Sequence, residues 1–114
     1  MIVLKPWGTE ELILRTKDTI VTKITIKPKH RTSLHLHKNE QEYLIILEGK
    51  PKIEKYNYVY YPSVNTCFFI KENVKHRIVN DSNKEIVLLK TSNNNIFPDN
   101  SSIIRIHDDY GRKI

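Results

Sequence analysis

Apolar and polar residues alternate along most of this chain, and short turn-forming segments separate the alternating stretches. The clearest stretch is Ile20–Lys27, where β-branched residues occupy one register until Pro28 ends the run. A period of two predicts a strand with one buried face. Similar stretches predict eight more strands, at Glu11–Arg15, Ser33–His37, Tyr43–Leu47, Lys52–Tyr61, Thr66–Ile70, Arg77–Asn80, Glu85–Thr91 and Ile103–His107. Closely spaced strands without an amphipathic helix predict an all-β sandwich or barrel.

One segment departs from this alternation. Residues 92–102 are polar and rich in Asn and Ser, which predicts a long loop. Such a loop could cover the mouth of a barrel, or it could reflect compositional drift in an Asn-rich sequence. Because 114 residues is the size of one domain, we expect a single domain over residues 1–114.

Composition narrows the classes of partner and compartment. Hydrophobic residues make up 39% of the chain and charged residues 28%, the balance of an ordinary globular protein. The net charge is +6, but the basic residues are dispersed, so we do not expect a nucleic-acid partner. The N-terminus lacks the pattern of a signal peptide, and no apolar run reaches transmembrane length. We therefore expect a cytoplasmic protein without a membrane partner.

The single cysteine and the aromatic residues suggest packing roles. Cys67 cannot form an internal disulfide, and its apolar neighbours predict a small buried side chain. Trp7 is expected to pack against the barrel or a partner subunit. Tyr56, Tyr58 and Tyr60 are expected to share one face of a continuous strand, where they would pack on neighbours, stack on a sugar or form a dimer contact.

The spacing His35-x-His37-x4-Glu42, followed later by His76, is the strongest chemical signal in the chain. Residues two apart on a strand project to the same face, so His35 and His37 can point into one space. Glu42 opens an apolar run, where a carboxylate needs a cation or several donors. Three imidazoles and one carboxylate suit Zn, Mn, Fe(II), Co or Ni, but neither Ca nor a thiolate site. The alternative is a β-domain with coincidental histidines.

At these residues the chain resembles the cupin superfamily, whose motifs read Gly-x5-His-x-His-x3,4-Glu-x6-Gly and Gly-x5-Pro-x-Gly-x2-His-x3-Asn. All four ligand positions are filled, and Gly49 and Asn80 also match. The motif positions that differ are occupied here by Lys29, Asn65, Lys71 and Asn73. The resemblance implies a cupin-type jelly-roll β-barrel with one divalent metal, Zn as the first choice and Mn, Co, Ni or Fe as alternatives. Its ligands would be His35, His37, Glu42 and His76.

Both ends of the chain are similar to type II mannose-6-phosphate isomerase domains. Lys5-Pro6-Trp7-Gly8 resembles that family's (R/K)PWG signature, and His107–Arg112 resembles its EDDYGR signature. The segments Lys27–His37 and Val74–Arg77 resemble its KPGxRLSLQMH and GVxHR motifs. The resemblance implies a stand-alone, homodimeric, metal-dependent aldose–ketose isomerase that interconverts mannose 6-phosphate and fructose 6-phosphate.

Such a reaction also needs groups that shuttle a proton and hold the phosphorylated hexose. Metal ligands are already committed and cannot serve as free bases, which leaves basic residues of the matched segments as candidates. We expect catalytic roles for Arg112, Lys75 and Arg77, and substrate binding by Ser33, Arg31 and Tyr110, with His107 as a further candidate. The identity of the base stays open at this stage.

Two positions separate this chain from the isomerase family and leave other functions open. His35 stands where that family has Gln, and Leu89–Ser92 replaces its strand end EVQxG. The first difference favours another cupin enzyme, such as one acting on a sugar nucleotide or small metabolite, or an oxygenase. The second leaves open a non-catalytic cupin that binds metal or sugar.

Overall fold

The computed structural model describes residues 1–93 and 102–113. Within these residues the chain forms strands and no helix, which confirms the all-β prediction. The strands are β1 (Ile2–Lys5), β2 (Gly8–Arg15), β3 (Ile20–Ile26), β4 (His30–Arg31), β5 (Leu34–His37), β6 (Glu42–Glu48), β7 (Lys52–Lys55), β8 (Tyr58–Tyr60), β9 (Cys67–Ile70), β10 (His76–Asn80), β11 (Ile86–Ser92) and β12 (Ile103–His107).

These strands form two antiparallel sheets. The first sheet has the order β1-β2-β3-β11-β6-β9, and the second has the order β12-β5-β10-β7-β8, with β4 also paired to β10. Strand β11 therefore lies between β3 and β6, and β12 lies beside β5. These long-range pairings bring the C-terminal part of the chain next to the segments that carry the predicted metal ligands.

The core lies between the sheets and fills one end of the space they enclose. Strand β3 buries every second residue, beginning at Ile20, as its sequence pattern predicts. The buried apolar cluster comprises Trp7, Ile24, Ile26, Leu44, Ile46, Ile53, Ile70, Ile78, Ile86 and Leu88. Along the inner face, Ile46 lies opposite Leu88 while Glu42 lies opposite Ser92. One end of the interior is thus apolar and the other end polar.

The predicted strand Lys52–Tyr61 is wrong as a single element. It consists of β7 and β8, joined by Tyr56 and Asn57. Tyr56 has a φ of 60°, in the left-handed region that bulky residues rarely adopt and that glycine usually marks in a hairpin. Because the turn contains no glycine, alternation alone suggested a continuous strand. The turn removes Tyr56 from the face shared by Tyr58 and Tyr60, so the predicted three-tyrosine face is also wrong.

The N-terminal hairpin was only partly predicted. Strand β2 begins at Gly8 rather than Glu11, and it pairs with β1, which the sequence pattern did not reveal. Between the two strands, Trp7 is 4% exposed and belongs to the core. The expectation that Trp7 packs against the barrel is therefore confirmed.

The prediction that Cys67 is buried is wrong. Strand β9 lies at the edge of the first sheet, and its alternation turns Phe68 and Ile70 inward. Cys67 therefore projects to the exposed side. An apolar run at a sheet edge has one open face, which the sequence alone does not indicate.

The predicted polar loop lies mostly outside the described residues, which exclude 94–101. Of its flanks, Ser92 ends β11 and Ser102 precedes β12. The described residues contain no helix with the length and hydrophobicity needed to cross a membrane.

Candidate metal centre

The second sheet places three imidazoles on one face. His35 and His37 are two residues apart on β5, and His35 lies directly opposite His76 of β10. Residues opposite each other on neighbouring strands project to the same side. The ring centroids are 4.9 Å apart for His35 and His37, 4.6 Å for His35 and His76, and 5.7 Å for His37 and His76. One ring nitrogen from each of the three lies within 4.8 Å of the others.

The first sheet supplies the carboxylate. Glu42 is the first residue of β6 and is 3% exposed, since the alternation of this strand turns it inward. Its Oε1 lies 2.8 Å from His37 Nε2, and its Oε2 lies 3.8 Å from His76 Nε2. The predicted ligands therefore converge from both sheets at the polar end of the interior.

The Nδ1 atom of each imidazole is engaged by a neighbouring group. His76 Nδ1 is 2.9 Å from the Val74 carbonyl, and His35 Nδ1 is 2.9 Å from the Ser33 carbonyl and 2.8 Å from Ser33 Oγ. A proton on Nδ1 satisfies both carbonyls and leaves Nε2 as the lone-pair nitrogen. Such partners fix the tautomer and orientation of metal-binding histidines.

His37 is held by a longer chain of contacts. The Ser102 hydroxyl donates to Glu40 Oε1 at 2.9 Å, and the same oxygen lies 3.1 Å from His37 Nδ1. Since the hydroxyl has only one hydrogen, its oxygen accepts from a protonated His37 Nδ1. The second oxygen of Glu40 lies 3.7 Å from the same nitrogen. Glu40 thus supports His37 at its Nδ1 atom. It also lies close enough to His37 and Glu42 for the three residues to share a metal ion.

The surroundings of the Glu42 carboxylate indicate whether these residues fit a cation. Within the described part of the chain, its buried Oε1 has no hydrogen-bond partner of acceptable geometry, although His37 Nε2 is 2.8 Å away. With the His37 proton on Nδ1, the Nε2 lone pair faces a carboxylate oxygen, which is repulsive unless a cation neutralises the contact. Three nitrogen donors and one carboxylate fit Zn or another borderline divalent ion.

The electrostatic surroundings favour the protonation states that bind metal. Burial lowers the pKa of His35 well below its ordinary value, helped by the nearby imidazoles, and burial also lowers the pKa of His76. Burial opposes ionisation of Glu42, but positive charge nearby, that of Lys90 above all, holds the pKa of its carboxyl well below the usual range. Neutral imidazole and ionised carboxylate are the forms that ligate metals.

The four residues line one cavity together with several charged side chains. The space open to water is about 50 Å³, and the cavity including its open mouth has about 530 Å³ of empty space. It could hold an ion with a few waters inside and a small molecule that extends through the mouth. The other charged residues of the lining are Lys5, Glu10, Lys90, Arg105 and Arg112.

Of these five, the sequence predicted a functional role only for Arg112. Signals existed for two others, because Lys5 belongs to the N-terminal signature and Lys90 lies in Leu89–Ser92, the stretch that replaces the EVQxG strand end of the isomerase family. Glu10 lies opposite Ile24 of β3, and Arg105 lies opposite His35 of β5, so both project inward. These registers depend on long-range strand pairing and leave no local sequence signal.

Two of the six predicted catalytic and substrate residues line the cavity. Ser33 is 2% exposed, and its hydroxyl lies 2.8 Å from His35 Nδ1, so it positions this imidazole. Arg112 is held by Asp108, to whose two carboxylate oxygens it donates from Nε at 3.0 Å and from an η nitrogen at 2.9 Å.

The other predicted substrate residues lie outside the cavity. Arg31 donates to both oxygens of Asp109, at 2.6 and 2.9 Å, and the Tyr110 hydroxyl donates to the Arg31 carbonyl at 2.9 Å. These contacts fasten the C-terminal segment to β4. Arg31 and Tyr110 line a separate, shallower depression on the surface.

The other predicted catalytic residues also fail to reach the cavity. Arg77 follows His76 on β10 and projects to the opposite face, where its Nε donates to the Thr32 carbonyl at 3.0 Å. One of its η nitrogens lies 3.0 Å from His107 Nδ1, so His107 lies on that outer side as well. Lys75 is not among the described residues that line the cavity.

Comparison with protein families gives one match that spans most of the chain. The family model described as "Mannose-6-phosphate isomerase C-terminal" matches residues 1–108. The match includes both strands that carry imidazoles, the Glu42 strand and β12.

Curated relatives include the xanthan biosynthesis protein XanB of Xanthomonas campestris pv. campestris and a mannose-1-phosphate guanylyltransferase of Klebsiella pneumoniae. They are 27% and 26% identical to this chain over 110 residues, which is 96% of the chain in each case. The chain spans only 23% of the length of either relative.

Solved structures with a similar fold include the capsular polysaccharide assembling protein CapF of Staphylococcus aureus, with a TM-score of 0.84 at 19% identity. The match covers 94% of this chain and 34% of CapF. A Klebsiella pneumoniae protein with a double-stranded β-helix domain gives a TM-score of 0.72 at 16% identity, over 87% of this chain and 84% of the other. At these identities the likeness establishes the fold, which is the predicted cupin-type barrel.

Proposed function

This chain belongs to the mannose-6-phosphate isomerase C-terminal family, and from that premise we propose that it interconverts mannose 6-phosphate and fructose 6-phosphate with one divalent metal. The observation that carries the proposal is the convergence in one cavity of a metal-binding group with further acidic and basic side chains. The chain matches only a part of its larger relatives, so we assign to it no guanylyltransferase activity.

The metal would be held by His35, His37, Glu42 and His76. When bound, it would polarise the substrate carbonyl and stabilise the negative oxygen that develops next to it. Zn is our first choice, and Mn, Co, Ni and Fe are alternatives with the same donor preference. Ser33, Glu40 and Ser102 would keep the imidazoles oriented through their Nδ1 atoms.

We assign the proton transfer to Glu10. Isomerisation removes the proton from C2 of the aldose and returns it to C1, which needs a base that is not a metal ligand. Glu10 lines the same cavity, and it lies outside both groups of residues close enough to share an ion. It is the only carboxylate among the described lining residues besides Glu42.

Lys90 would act as a fixed positive charge rather than as a base. Burial alone would lower the pKa of its ammonium, but Glu42, Glu10 and Glu40 outweigh that effect and raise the pKa. A protonated lysine in the cavity can stabilise negative charge on the substrate. It also compensates for the buried charge of Glu42.

A second candidate function follows from His35. A third imidazole, where the isomerase family has Gln, supports a cupin enzyme that acts on another sugar derivative, such as a sugar nucleotide.

The family resemblance also supports a homodimer, and exposed apolar residues of β1, Ile2 and Leu4, are available for such a contact.

The test is turnover by the metal-loaded chain. We expect fructose 6-phosphate to form from mannose 6-phosphate, activity to be lost with a chelator, and activity to return when metal is added back. Metal-loaded protein that converts no mannose 6-phosphate would refute the isomerase proposal. Turnover of a sugar nucleotide by the same sample would then favour the second candidate.

A further inference from the structure

The cavity lining carries more positive charge than the metal centre needs. The lining contains four permanent or near-permanent cations, Lys5, Lys90, Arg105 and Arg112, against the carboxylates of Glu10 and Glu42. A metal ion would add two further positive charges. Such a surplus in one concave site favours an anionic ligand.

Of these cations, Arg105 has the clearest unsatisfied hydrogen-bond donor. Its Cα lies directly opposite that of His35, which places both side chains on the inner face of the second sheet. Its Nε is buried and has no hydrogen-bond partner among the residues that the structure describes. A buried donor of a charged group that stays unpaired is costly, so an acceptor from outside the described chain is expected there.

Lys5 and Arg112, from the two ends of the chain, line the same cavity as Arg105. Burial lowers the pKa of Lys5, and Arg112, Lys90 and Arg105 lower it further, although Glu10 opposes them. These cations therefore lie close enough to repel one another. Asp108 anchors Arg112 through both of its carboxylate oxygens, so Arg112 is held in place in the cavity lining.

We propose that Arg105, flanked by Lys5 and Arg112, forms a subsite for a phosphate monoester beside the metal centre. A guanidinium donates two parallel hydrogen bonds to phosphate oxygens, and the flanking cations balance the second negative charge. This inference rests on the proposed function, because the phosphate would be that of the hexose substrate. Its binding energy would hold the sugar with its carbonyl end toward the metal ligands.

The second basic depression on the surface is a poorer phosphate site. It is lined by Lys29, Arg31 and Lys52, but Arg31 donates to Asp109, and Lys29 donates to the Asp81 carbonyl. These two cations already have acceptors within the chain. The subsite is therefore assigned to the cavity that also holds the metal ligands.

Titration calorimetry on the full chain tests the subsite. The ligands are inorganic phosphate and mannose 6-phosphate, with metal-loaded and metal-free protein measured in parallel. We expect Arg105→Gln to weaken both ligands by about 10- to 100-fold with unchanged metal content, as expected for a lost charged hydrogen bond. Arg15→Gln removes an exposed arginine outside the cavity and should leave both affinities unchanged.

Two further variants keep the test decisive if Arg105→Gln does not fold. Lys5→Gln should weaken phosphate binding by several-fold, and Arg105→Lys should bind phosphate more weakly than wild type, because it keeps the charge but loses the paired donors of the guanidinium. Phosphate binding that disappears with the metal and is the same in all three variants would overturn the inference, since the metal alone would then hold the anion.

The inference and the isomerase proposal fail in different ways. Arg105-dependent binding of mannose 6-phosphate without turnover would support the subsite and refute the isomerase. Turnover with a phosphate affinity that is independent of Arg105 and Lys5 would support the isomerase and refute the subsite.

Discussion

At the scale of single residues, the candidate metal centre is defined by the groups that contact the Nδ1 atom of each imidazole. The Val74 carbonyl, Ser33 and Ser102 take the Nδ1 atoms of His76, His35 and His37. This leaves the Nε2 atoms for the cavity, where Glu42 supplies the only oxygen donor of the predicted set. The supporting groups matter nearly as much as the ligands, because a misoriented imidazole binds metal poorly.

Glu10→Gln tests the assignment of the base. We expect kcat to fall by about 100- to 10,000-fold, the usual contribution of a positioned general base, while metal content stays the same. The measurement is steady-state conversion of mannose 6-phosphate, with metal content from elemental analysis.

Glu11→Gln is the matched control for this variant. Glu11 is the next residue on β2, projects to the other side of the sheet and does not line the cavity. A Glu10→Gln protein with kcat within a few-fold of wild type would remove Glu10 from the mechanism.

The metal-free protein should lose stability as the pH falls. The pKa values of His35 and His76 are lower in the folded chain than in the unfolded chain, where imidazole titrates near pH 6.5. Below about pH 6.5 the unfolded state therefore binds more protons than the folded state. The contribution of these histidines to the free energy of unfolding is fully present above that pH and decreases below it. Glu42, with a lowered pKa, adds a further loss at more acidic pH.

Thermal unfolding of the chelated protein between pH 8 and pH 5 measures this dependence. We expect Tm to fall steadily below about pH 6.5 and to fall less steeply in a His76→Gln variant. A Tm that is constant or rises on acidification would mean that the buried imidazoles do not control stability.

The convergence of His35, His37, Glu42 and His76 could be predicted from the sequence, but the residues that support them could not. The period of a strand places His35 and His37 on one face, and the motif spacing supplies the rest. Ser102 is 65 positions from His37, and their contact exists only because β12 pairs with β5. The position of Arg77 shows a related limit, because Arg77 adjoins His76 in sequence but projects to the opposite face of β10.

At the scale of elements, the terminal segments explain why the family signatures lie where they do. The N-terminal signature forms the turn between β1 and β2 and places Lys5 and Trp7 in the cavity lining. The C-terminal signature follows β12 and places Arg112 there too. Its other members, Asp109 and Tyr110, fasten the segment to Arg31. The two signatures thus contribute Lys5, Trp7 and Arg112 to the cavity lining and none of the predicted metal ligands.

Gly8→Ala should strongly destabilise the N-terminal hairpin. A Cβ at Gly8 would lie 1.8 Å from the Thr25 carbonyl oxygen, and pairing of β2 with β3 fixes both backbones. We expect a loss of about 3 kcal/mol in the free energy of unfolding, the upper range for overpacking. Denaturant titration measures this loss.

Gly111→Ala provides the comparison. A Cβ there meets nothing within 4 Å, but the backbone φ of 72° is unfavourable for alanine. The expected cost is about 1 kcal/mol. Equal effects of the two substitutions would contradict the close packing of β2 on β3.

Turn chemistry accounts for the elements that the sequence did not reveal. The hairpin at Tyr56 and Asn57 adopts a left-handed residue without glycine, and the β1–β2 turn carries a buried tryptophan. Strand β3, by contrast, was predictable because its alternation matches its burial at every position. A strand with one buried face can be predicted from a strict alternation of apolar and polar residues. A turn that is stabilised by tertiary contacts cannot be predicted in this way.

At the scale of the whole molecule, the candidate metal site lies between the two sheets. Glu42 comes from the first sheet and the imidazoles come from the second, so a bound ion would cross-link them at the polar end of the interior. At the apolar end, packed isoleucine and leucine side chains perform that function. Metal binding should therefore contribute to folding stability as well as to chemistry.

Removing the metal should lower the thermal stability of the chain. At a free metal concentration 100 times its Kd, binding to the folded state adds about 2.7 kcal/mol to the free energy of unfolding. We expect Tm to fall on chelation and to rise with the concentration of metal added back. A Tm that does not respond to Zn, Mn, Co, Ni or Fe(II) would argue against a centre shared by the two sheets.

The metal content of wild type and of single histidine variants after equilibrium dialysis tests the proposed metal centre. We expect one divalent ion per chain in wild type, with binding lost in His76→Ala. We expect full retention in His30→Ala, because His30 lies on β4 outside the cavity and stacks on Tyr110. Full metal content in His76→Ala, or none in wild type, would show that these histidines do not hold a metal.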